Sequence, residues 1–357
     1  MHCSSALTRA TGELAVTQQT LDLDIDLTGE LQTLVKQGHL CHIQLYSSFN
    51  IAIKEVHPSV KKHIANQICK ITRTLADRIE MLEMGDLKLA IEAETLIEAF
   101  SYQMSSLTTL LLDGSLNLYP TRELIHTIVD HCPNLEDLDL PNCQAMDDDL
   151  LLYTATNLQQ LRLLYLHQCY NVTNIGCNHI CNHLENLEGL SLRESLITDA
   201  AVERIADLKN LTELYLECCD NISANCINIL SNRDSLLEIL DIGFCDGIDP
   251  NEALGNLGLS HLPLECIKIG ESSGLNHENP DTIGWITDAG ITAFIAGEGG
   301  KDLLSFTMYR GRSRVTIDAL SQLFFKCKKL IVKDGYKDRT AEVTPSYITK
   351  IINLINY

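Results

Sequence analysis

Seven consecutive residues bring four potential metal ligands close together, in the run Cys177-Asn178-His179-Ile180-Cys181-Asn182-His183. In a helix the two cysteines form one pair and the two histidines another, each pair one turn apart. The pairs then lie roughly 160° apart around the helix axis, so one tetrahedral zinc ion cannot take all four ligands. Cys177 also falls in an apolar column of the repeat described below. We therefore predict core thiols here and no metal site.

Two other segments have some features of ligand-binding loops. Residues 21–27 alternate apolar residues with aspartate, a pattern that fits a strand and also resembles the start of a calcium loop. However, Leu27 stands where the turn glycine is required, and Thr33 stands where the bidentate glutamate belongs. Residues 297–302 are glycine-rich, but no Ser or Thr follows Lys301 as a phosphate loop requires. We predict neither site, and we interpret 297–302 as the turn before a strand.

Nucleophilic catalysis has no local motif in this sequence. There is no G-x-S-x-G segment, and no cysteine lies within a known catalytic signature. The alternative is an enzyme whose active site is assembled in space within residues 1–104, with the remaining chain selecting the substrate. We predict a protein that is not an enzyme, with no catalytic residues and no cofactor.

Composition predicts a folded chain with an aliphatic core. Of the 357 residues, 45% are hydrophobic but only 5% are aromatic. No apolar stretch reaches the roughly 18 residues that a membrane span needs. The first residues lack the basic and then apolar pattern of a secretory signal. We expect the 14 cysteines to remain thiols in the cytoplasm, or in the host cytoplasm if the chain is a secreted bacterial effector.

Charge is distributed unevenly along the chain. The net charge is −21, and residues 105–302 hold 31 acidic against 8 basic side chains, whereas residues 303–357 hold 4 against 10. The acidic middle repels phosphates, which argues against a nucleic-acid partner, and it favours a protein partner with a basic face. The basic run at 310–314 either binds an acidic group or is a solvated turn that balances neighbouring acid, and we prefer the second interpretation.

A sequence repeat decides the fold. The pattern L-x-x-L-x-L-x-x-C recurs at spacings of 24–28 residues, with one step of 39 residues that we attribute to a polar insertion at 271–281. Its first position is filled by Leu107, Leu135, Leu161, Leu187, Leu211, Leu237, Leu264, Leu303 and Leu330. The L-x-L alternation predicts a short strand with one buried face, and apolar residues three or four apart after it predict a helix.

Stacking is what makes such units stable, because a single unit cannot bury its own apolar face. We predict an α/β solenoid with short parallel strands on a concave face and helices on the convex face. The repeats are assigned to residues 105–332 and a C-terminal cap to 333–357. Residues 1–104 are predicted to be a helical region, in which a helix opens at Pro58 and continues to Leu82. That region either closes the open end of the solenoid or docks a second partner.

The repeat resembles the cysteine-containing leucine-rich repeat, whose pattern is C-x-x-L-x-x-L-x-L-x-x-C-x-x-I-T-D. Residues 132–143 follow its first part, and residues 197–199 and 286–288 both spell I-T-D. The inner cysteine column holds Cys143, Cys169, Cys219 and Cys245, with Ser115, Ser195 and Ser272 as small alternatives. The resemblance covers residues 105–332 and implies the leucine-rich-repeat fold. A small residue fits the inner column, and the Thr-Asp pair can cap the following helix.

The resemblance also implies a protein–protein interaction module, because solenoids of this kind bind through the concave face. The strand alternation identifies the exposed residues of that face. The predicted partner-binding residues are Asp139, Tyr165, His167, Arg193, Tyr215, Glu217, Asp241, Phe244, Tyr309 and Arg310. Tyrosine and arginine are residue types that dominate interface hot spots.

Two biological versions of this module fit the resemblance. One is the substrate-recognition subunit of a ubiquitin ligase, and the other is a bacterial effector acting on a host protein. Many proteins with this repeat carry an F-box, which normally shows a Leu-Pro start and a tryptophan near its end. Neither feature occurs in residues 1–104, and the single tryptophan is Trp285. This favours the effector, and the sequence leaves the oligomeric state open.

Overall fold

A computed structural model of the chain describes residues 17–22, 41–46, 58–86, 92–112, 119–232, 234–270, 286–308, 315–327 and 331–334. The chain divides into two compact units, Met1–Pro141 and Asn142–Tyr357. Each unit consists of short parallel strands that alternate with helices. Among the described helices, none has the length and apolar character needed to cross a membrane.

Strands outnumber helices in the described part of the first unit. In chain order its elements are β1 (Thr17–Asp22), β2 (Cys41–Tyr46), α1 (Pro58–Leu75), β3 (Ile79–Asp86), α2 (Ala93–Ala99), β4 (Thr109–Leu111), α3 (Arg122–His131) and β5 (Asp137–Leu140). The strands pair in parallel and in chain order, β1 with β2 and so on to β5. Each of the last three strands is preceded by a helix, as repeated strand–helix units require.

The N-terminal region predicted to be helical also contains β1, β2 and β3. Helix α1 begins at Pro58 as predicted, but it ends at Leu75, so the predicted continuation to Leu82 is wrong. Ile79, Leu82 and Met84 are fully buried in β3. Their spacing is that of L-x-x-L-x-L, and its three-residue step also fits a helix, which explains the error. The strand–helix pattern therefore begins before residue 105.

The second unit repeats one strand and one helix throughout its described residues. In chain order its elements are α4 (Asp148–Asn157), β6 (Leu163–Leu166), α5 (Asn174–His183), β7 (Gly189–Leu192), α6 (Asp199–Ile205), β8 (Glu213–Tyr215), α7 (Cys226–Ser231), β9 (Ile239–Gly243), α8 (Pro250–Leu259), β10 (Cys266–Gly270), α9 (Asp288–Ala296), β11 (Ser305–Met308), α10 (Ile317–Lys326) and β12 (Ile331–Asp334). Consecutive strands from β6 to β12 pair in parallel. This is the leucine-rich-repeat arrangement. The insertion at 271–281 and nearly all of the C-terminal cap lie outside the described residues.

The repeated leucines form the core of the second unit. Leu164 and Leu166 of β6 are fully buried, whereas Leu163 and Tyr165, which alternate with them, are partly exposed. The same alternation follows in β8 and β10. Complete burial of one leucine side chain contributes about 2 kcal/mol, so the leucine columns stabilise the packing of each repeat against the next.

The inner cysteine column lies in the same core. Cys143, Cys169 and Cys219 are fully buried, and Cys245 is nearly so. The thiols of Cys219 and Cys245 donate to the carbonyls of Leu192 and Leu216 at 3.2 and 3.1 Å, each in the preceding repeat. Burial raises the pKa of the Cys169 and Cys245 thiols well above its ordinary value. The prediction that this column consists of core thiols is confirmed.

Thr–Asp pairs join consecutive units at the helix N-termini. Thr198 caps its own helix, accepting from the Ala200 amide at 3.3 Å, as the motif predicts. Asp199 accepts instead from the next unit, from the Ser223 amide at 2.8 Å and the Ser223 hydroxyl at 2.6 Å. Equivalent links are Asp148–Thr173, Asn174–Thr198, Asn251–Thr287 and Asp288–Thr316. Each link therefore joins the start of one helix to the start of the next helix in the stack.

Candidate functional site

The strands of the second unit carry a row of polar and aromatic side chains on the face opposite their buried leucines. The parallel register aligns Tyr165, Ser191, Tyr215, Asp241 and Lys268 across β6 to β10. We define the strand face as this face of β6–β10, with all the residues that lie on it, together with the residue that directly follows each of these strands. Side chains two residues apart in a strand lie on the same face, which adds Glu213 to Tyr215 and Cys266 to Lys268.

Two tyrosines and one glutamate form the centre of the strand face. The rings of Tyr165 and Tyr215 meet edge to face with centroids 5.7 Å apart. Both hydroxyls donate to the same Oε2 atom of Glu213, at 2.9 Å from Tyr165 and 3.0 Å from Tyr215. Burial, and then the charge of Glu213, raises the pKa of Tyr215 well above its usual range. The Tyr215 hydroxyl is therefore neutral, and both hydroxyls donate to the carboxylate and orient it.

Small residues on β7 allow the two tyrosines to meet. Tyr165 lies on β6 and Tyr215 on β8, so each side chain must reach over the strand between them. β7 presents Gly189 and Ser191 at that point, and both are buried. A Cβ atom on Gly189 would lie only 2.6 Å from the Tyr165 hydroxyl oxygen. A larger residue here would therefore displace the Tyr165 hydroxyl from its present position.

A buried ion pair adjoins the tyrosines. Lys268 Nζ lies 2.8 Å from Oδ2 of Asp241, and the Asp241 side chain is only 1% exposed. The other carboxylate oxygen of Asp241 accepts from the Gly243 amide at 3.1 Å. Lys268 Nζ also lies 5.5 Å from the centroid of the Tyr215 ring, within cation–π range. The ammonium group is thus held between a carboxylate and an aromatic ring.

Arginines next to the row are also paired with carboxylates. Arg162 makes a bidentate contact with Glu188, with Nε 3.1 Å from Oε1 and Nη2 2.8 Å from Oε2. Arg193 forms an ion pair with Glu217. An acidic ligand could recruit these cations only by competing with carboxylates already in place. The strand face is consequently better suited to basic groups than to acidic ones.

The turns after β5 to β9 share one left-handed conformation. The residue two places beyond the last leucine or isoleucine of the repeat pattern has φ between 48° and 59° in these five repeats, at Asn142, Gln168, Glu194, Cys218 and Phe244. A non-glycine residue there costs roughly 1–2 kcal/mol. Cross-unit hydrogen bonds offset part of this cost, as when the amides of Cys218 and Phe244 donate to Gly243 and Gly270 at 2.9 Å. Phe244 is thereby held at the rim of the strand face.

A second tyrosine–glutamate contact lies at the same rim. Tyr170 is 43% exposed and donates its hydroxyl to Glu194. This hydrogen bond is the main reason that the pKa of Tyr170 rises to about 12. Tyr170 was not among the predicted partner-binding residues, although it is more exposed than the tyrosines of the central row.

The structure brings together seven of the ten predicted partner-binding residues in the second unit. They are Tyr165, His167, Arg193, Tyr215, Glu217, Asp241 and Phe244. Asp139 lies on β5 of the first unit, where it is partly exposed. Tyr309 and Arg310 lie outside the described residues. Whether any of these residues contacts a partner stays a prediction.

Sequence reasoning missed two important residues of the strand face. Glu213 was not named, although it precedes Tyr215 by two positions and therefore shares its face. Gly189 matters because it is small, a property that a search for charged and aromatic side chains does not register. The alternation of the strands was signal enough to find Glu213.

The segments with ligand-like residues have structural explanations. Cys177 is fully buried on α5, in the same column as the buried Cys226, and no group of three or more metal-ligand side chains occurs among the described residues. Cys181 is partly exposed, and a hydrogen bond from the Cys177 thiol lowers its pKa. Residues 297–302 form the turn before β11, as predicted, with Gly300 at φ 64°. Of the three aspartates near the N-terminus, only Asp22 is described, at the end of β1.

Comparison with known proteins supports the repeat assignment. No protein-family model matches the chain. It is similar to F-box/LRR-repeat protein 17 of Arabidopsis thaliana, with 31% identity over 122 residues that make up 34% of this chain and 20% of that protein. It is also similar to F-box/LRR-repeat protein 4 of Bos taurus, with 30% identity over 138 residues, or 38% of this chain and 22% of that protein. The chain thus spans about a fifth of the length of each relative, and the predicted resemblance to the leucine-rich repeats of F-box/LRR proteins is confirmed.

Solved structures with a similar backbone include two leucine-rich-repeat proteins. A chain of the yeast Rad7–Elc1 complex matches with a TM-score of 0.42 and 16% identity, over 65% of this chain and 70% of that one. An internalin from Listeria monocytogenes matches with a TM-score of 0.39 and 15% identity, over 84% of this chain and 80% of that one. At these identities and scores, neither structure bears on what this chain binds.

Proposed function

We propose that this chain is a protein–protein interaction module that binds its partner through the strand face. The observation that carries the proposal is the aligned row of Tyr165, Ser191, Tyr215, Asp241 and Lys268. Leucine and cysteine recur at the interior positions of the same repeats, whereas this row holds two tyrosines, a serine, an aspartate and a lysine. Core packing does not require such variety. Aromatic and charged side chains supported by rigid strands are what an interface needs.

The proposed partner is a protein with a basic contact surface. Residues 105–302 carry a large acidic excess. The cations on or beside the strand face, Arg162, Arg193 and Lys268, each lie against a carboxylate. A basic partner gains from this field without displacing an existing ion pair, and its association should be faster at low salt.

Two cellular roles extend this proposal. In the first, the chain selects substrates for a ubiquitin ligase, and in the second it is a bacterial effector that binds a host protein. The names of the two curated relatives favour the ligase role, since both names include the term F-box. Residues 1–104 themselves contain no F-box motif. The identity of the bound protein distinguishes them, because a ligase scaffold component is expected only in the first role.

Affinity capture with the full chain tests the proposed face. We expect the intact chain to retain a protein from eukaryotic lysate that a Tyr165→Ala, Tyr215→Ala, Phe244→Ala variant does not retain. A matched control removes Glu203, Leu259 and Phe325 from the exposed surface of α6, α8 and α10. These three side chains lie on helices, so the control variant should retain the same protein.

The outcomes separate the strand face from other surfaces. Loss of the partner from the helix variant alone, with the strand variant still binding, would overturn the proposal. Circular dichroism must show that both variants are folded, because truncated aromatic residues could disturb the sheet. Repeating the capture at increasing salt then tests the basic character of the partner, whose retention should decline.

The alternative of an enzyme finds little support in the described cysteines. Burial raises the pKa of Cys132 and Cys226 to about 12, so these thiols are poor nucleophiles at neutral pH. The partly exposed Cys181, whose pKa is lowered, lies on α5 rather than within residues 1–104. An enzymatic role would require chemical change of a captured partner on incubation with the full chain, which mass spectrometry of that partner can detect.

A further inference from the structure

We propose that the cluster of Tyr165, Glu213 and Tyr215 is the docking site for an arginine side chain of the partner protein. This inference rests on the proposed function, since it places one specific contact on the strand face. The cluster combines an aromatic ring pair with a carboxylate that both hydroxyls orient. A guanidinium group suits this combination, because it can stack on a ring while it donates to a carboxylate.

The oriented carboxylate supplies the charge. Glu213 accepts both tyrosine hydroxyls at Oε2, and neutral donors fix its direction without removing its negative charge. The Glu213 side chain and the ring of Tyr165 are both partly exposed, so a side chain from outside can approach them. A hydrogen bond between ionised partners in such a half-buried position is stronger than one at an open surface.

Lys268 of the chain itself already makes the same two kinds of contact, one with an aromatic ring and one with a carboxylate. Lys268 Nζ lies 5.5 Å from the Tyr215 ring centroid while it contacts Asp241 at 2.8 Å. The strand face thus holds one cation between an aromatic ring and a carboxylate. Tyr165 on β6, on the side of Tyr215 away from Lys268, and Glu213 on β8 present the same pair of groups. An external arginine at that position would extend the pattern by one more cation.

Arginine fits the cluster better than lysine does. The guanidinium group is planar, so it can stack on the Tyr165 ring, and its several N–H groups can engage a carboxylate in two places. The ammonium group of lysine is a strongly hydrated point charge that gains less from stacking. An acidic side chain is excluded, because it would approach Glu213 within an acidic surface.

The experiment uses the full chain and two labelled peptides, Arg-Gly-Arg-Gly-Arg and its lysine counterpart. Fluorescence anisotropy at about 0.15 M salt measures both affinities. We expect tighter binding of the arginine peptide and a loss of about tenfold in the Glu213→Gln variant. Glu203→Gln is the matched control, since it removes the same charge from the exposed surface of α6, and it should change the affinity by less than about twofold.

Substitutions at Tyr165 separate the ring from the hydroxyl. Tyr165→Phe keeps the aromatic face, and it should preserve the preference for arginine. Tyr165→Leu removes the ring and should bring the two peptides to about equal affinity. An unchanged affinity in Glu213→Gln, or an equal loss in Glu203→Gln, would overturn the docking site. Thermal melts of each variant identify any loss that comes from unfolding.

Hydrogen exchange with the bound peptide separates failure of this inference from failure of the proposed function. Protection of β6 to β8 is expected. Protection of β9 and β10 alone would overturn the arginine site and leave the strand face as the binding surface. Protection confined to the helices would overturn both. If the chain self-associates and Glu213→Gln abolishes that self-association, the site binds a second copy of this chain. That result would overturn the proposal of a separate partner protein.

Discussion

The interior columns and the strand face of the second unit are built from the same repeats, but each repeat contributes similar residues to the interior and varied residues to the face. In the interior, a leucine, a small thiol or hydroxyl residue and a polar cap recur because every unit must meet the unit before it in the same way. On the strand face, the equivalent positions of β6 to β10 hold tyrosine, serine, tyrosine, aspartate and lysine, so four residue types share five positions. Repetition therefore marks stability, and its absence marks the candidate site.

The difference also appears in the reach of the contacts. Interior hydrogen bonds join one unit to the next, as Cys219 does with Leu192. On the strand face, Tyr165 reaches across β7 to Glu213 on β8. The interior is held by nearest-neighbour contacts, as expected of a stacked array, whereas the face depends on which residues happen to be small or large on three adjacent strands.

The largest expected effect is on the interior. Leu190 on β7 is fully buried, so Leu190→Ala should lower the free energy of unfolding by about 2–5 kcal/mol, because it removes apolar burial and leaves a cavity. Leu196 lies in the same unit and is 52% exposed, and Leu196→Ala should cost less than about 1 kcal/mol. Urea denaturation of both variants checks the contrast. Equal losses would contradict the proposed division.

The buried thiols should make the protein sensitive to alkali. Burial raises the pKa of Cys226 from 9.0 to about 12. Between these values the unfolded thiol ionises and the folded one does not. The stability contribution is therefore fully present below pH 9 and is lost as the pH rises, by about 1.4 kcal/mol per pH unit for one such thiol.

Substitution isolates the contribution of this thiol. Cys226→Ala should flatten the fall in unfolding free energy above pH 9, as measured by urea denaturation at several pH values. Ile227→Val, at the next buried position of α7, should lower stability at every pH and leave the alkaline slope unchanged. The same slope in Cys226→Ala as in the intact chain would contradict the assigned cause.

The links between helix N-termini should have an intermediate effect. Asp199→Ala removes the acceptor of two hydrogen bonds from Ser223, and we expect a loss of about 1–3 kcal/mol in unfolding free energy. A double-mutant cycle with Ser223→Ala should give a coupling of about 1 kcal/mol. Glu203→Ala on the same helix serves as the control. Purely additive effects of Asp199 and Ser223 would show that the link contributes no stability.

The smallest effect on stability is expected on the strand face. Tyr165→Phe removes one hydroxyl donor from Glu213 and should change the unfolding free energy by less than about 1 kcal/mol. Tyr170→Phe removes the comparable rim contact with Glu194 and should have a similarly small effect. A loss of several kcal/mol in Tyr165→Phe would assign the central row to structure rather than to binding.

The sequence predicted the interior well, because burial imposes a period that can be counted. The nine leucines at the first repeat position predicted the strands, and Cys169 and Cys219 were predicted to be core thiols. The same counting failed at β3, where Ile79 and Met84 replace leucine and a spacing of three fits both a strand pattern and a helix. The error arose because a strand and a helix would both bury these side chains, so their spacing alone does not distinguish the two.

The strand face was only partly predictable. Alternation along a strand states which residues share a face, and so it correctly placed Tyr165, Tyr215 and Asp241 together. It does not state which side chains touch across strands. The Tyr165–Glu213 bond joins residues 48 positions apart, and it exists because Gly189 leaves room above β7. Sequence periodicity determines which residues are buried, whereas lateral contacts depend on the space left by neighbouring side chains, which only the stacked structure determines.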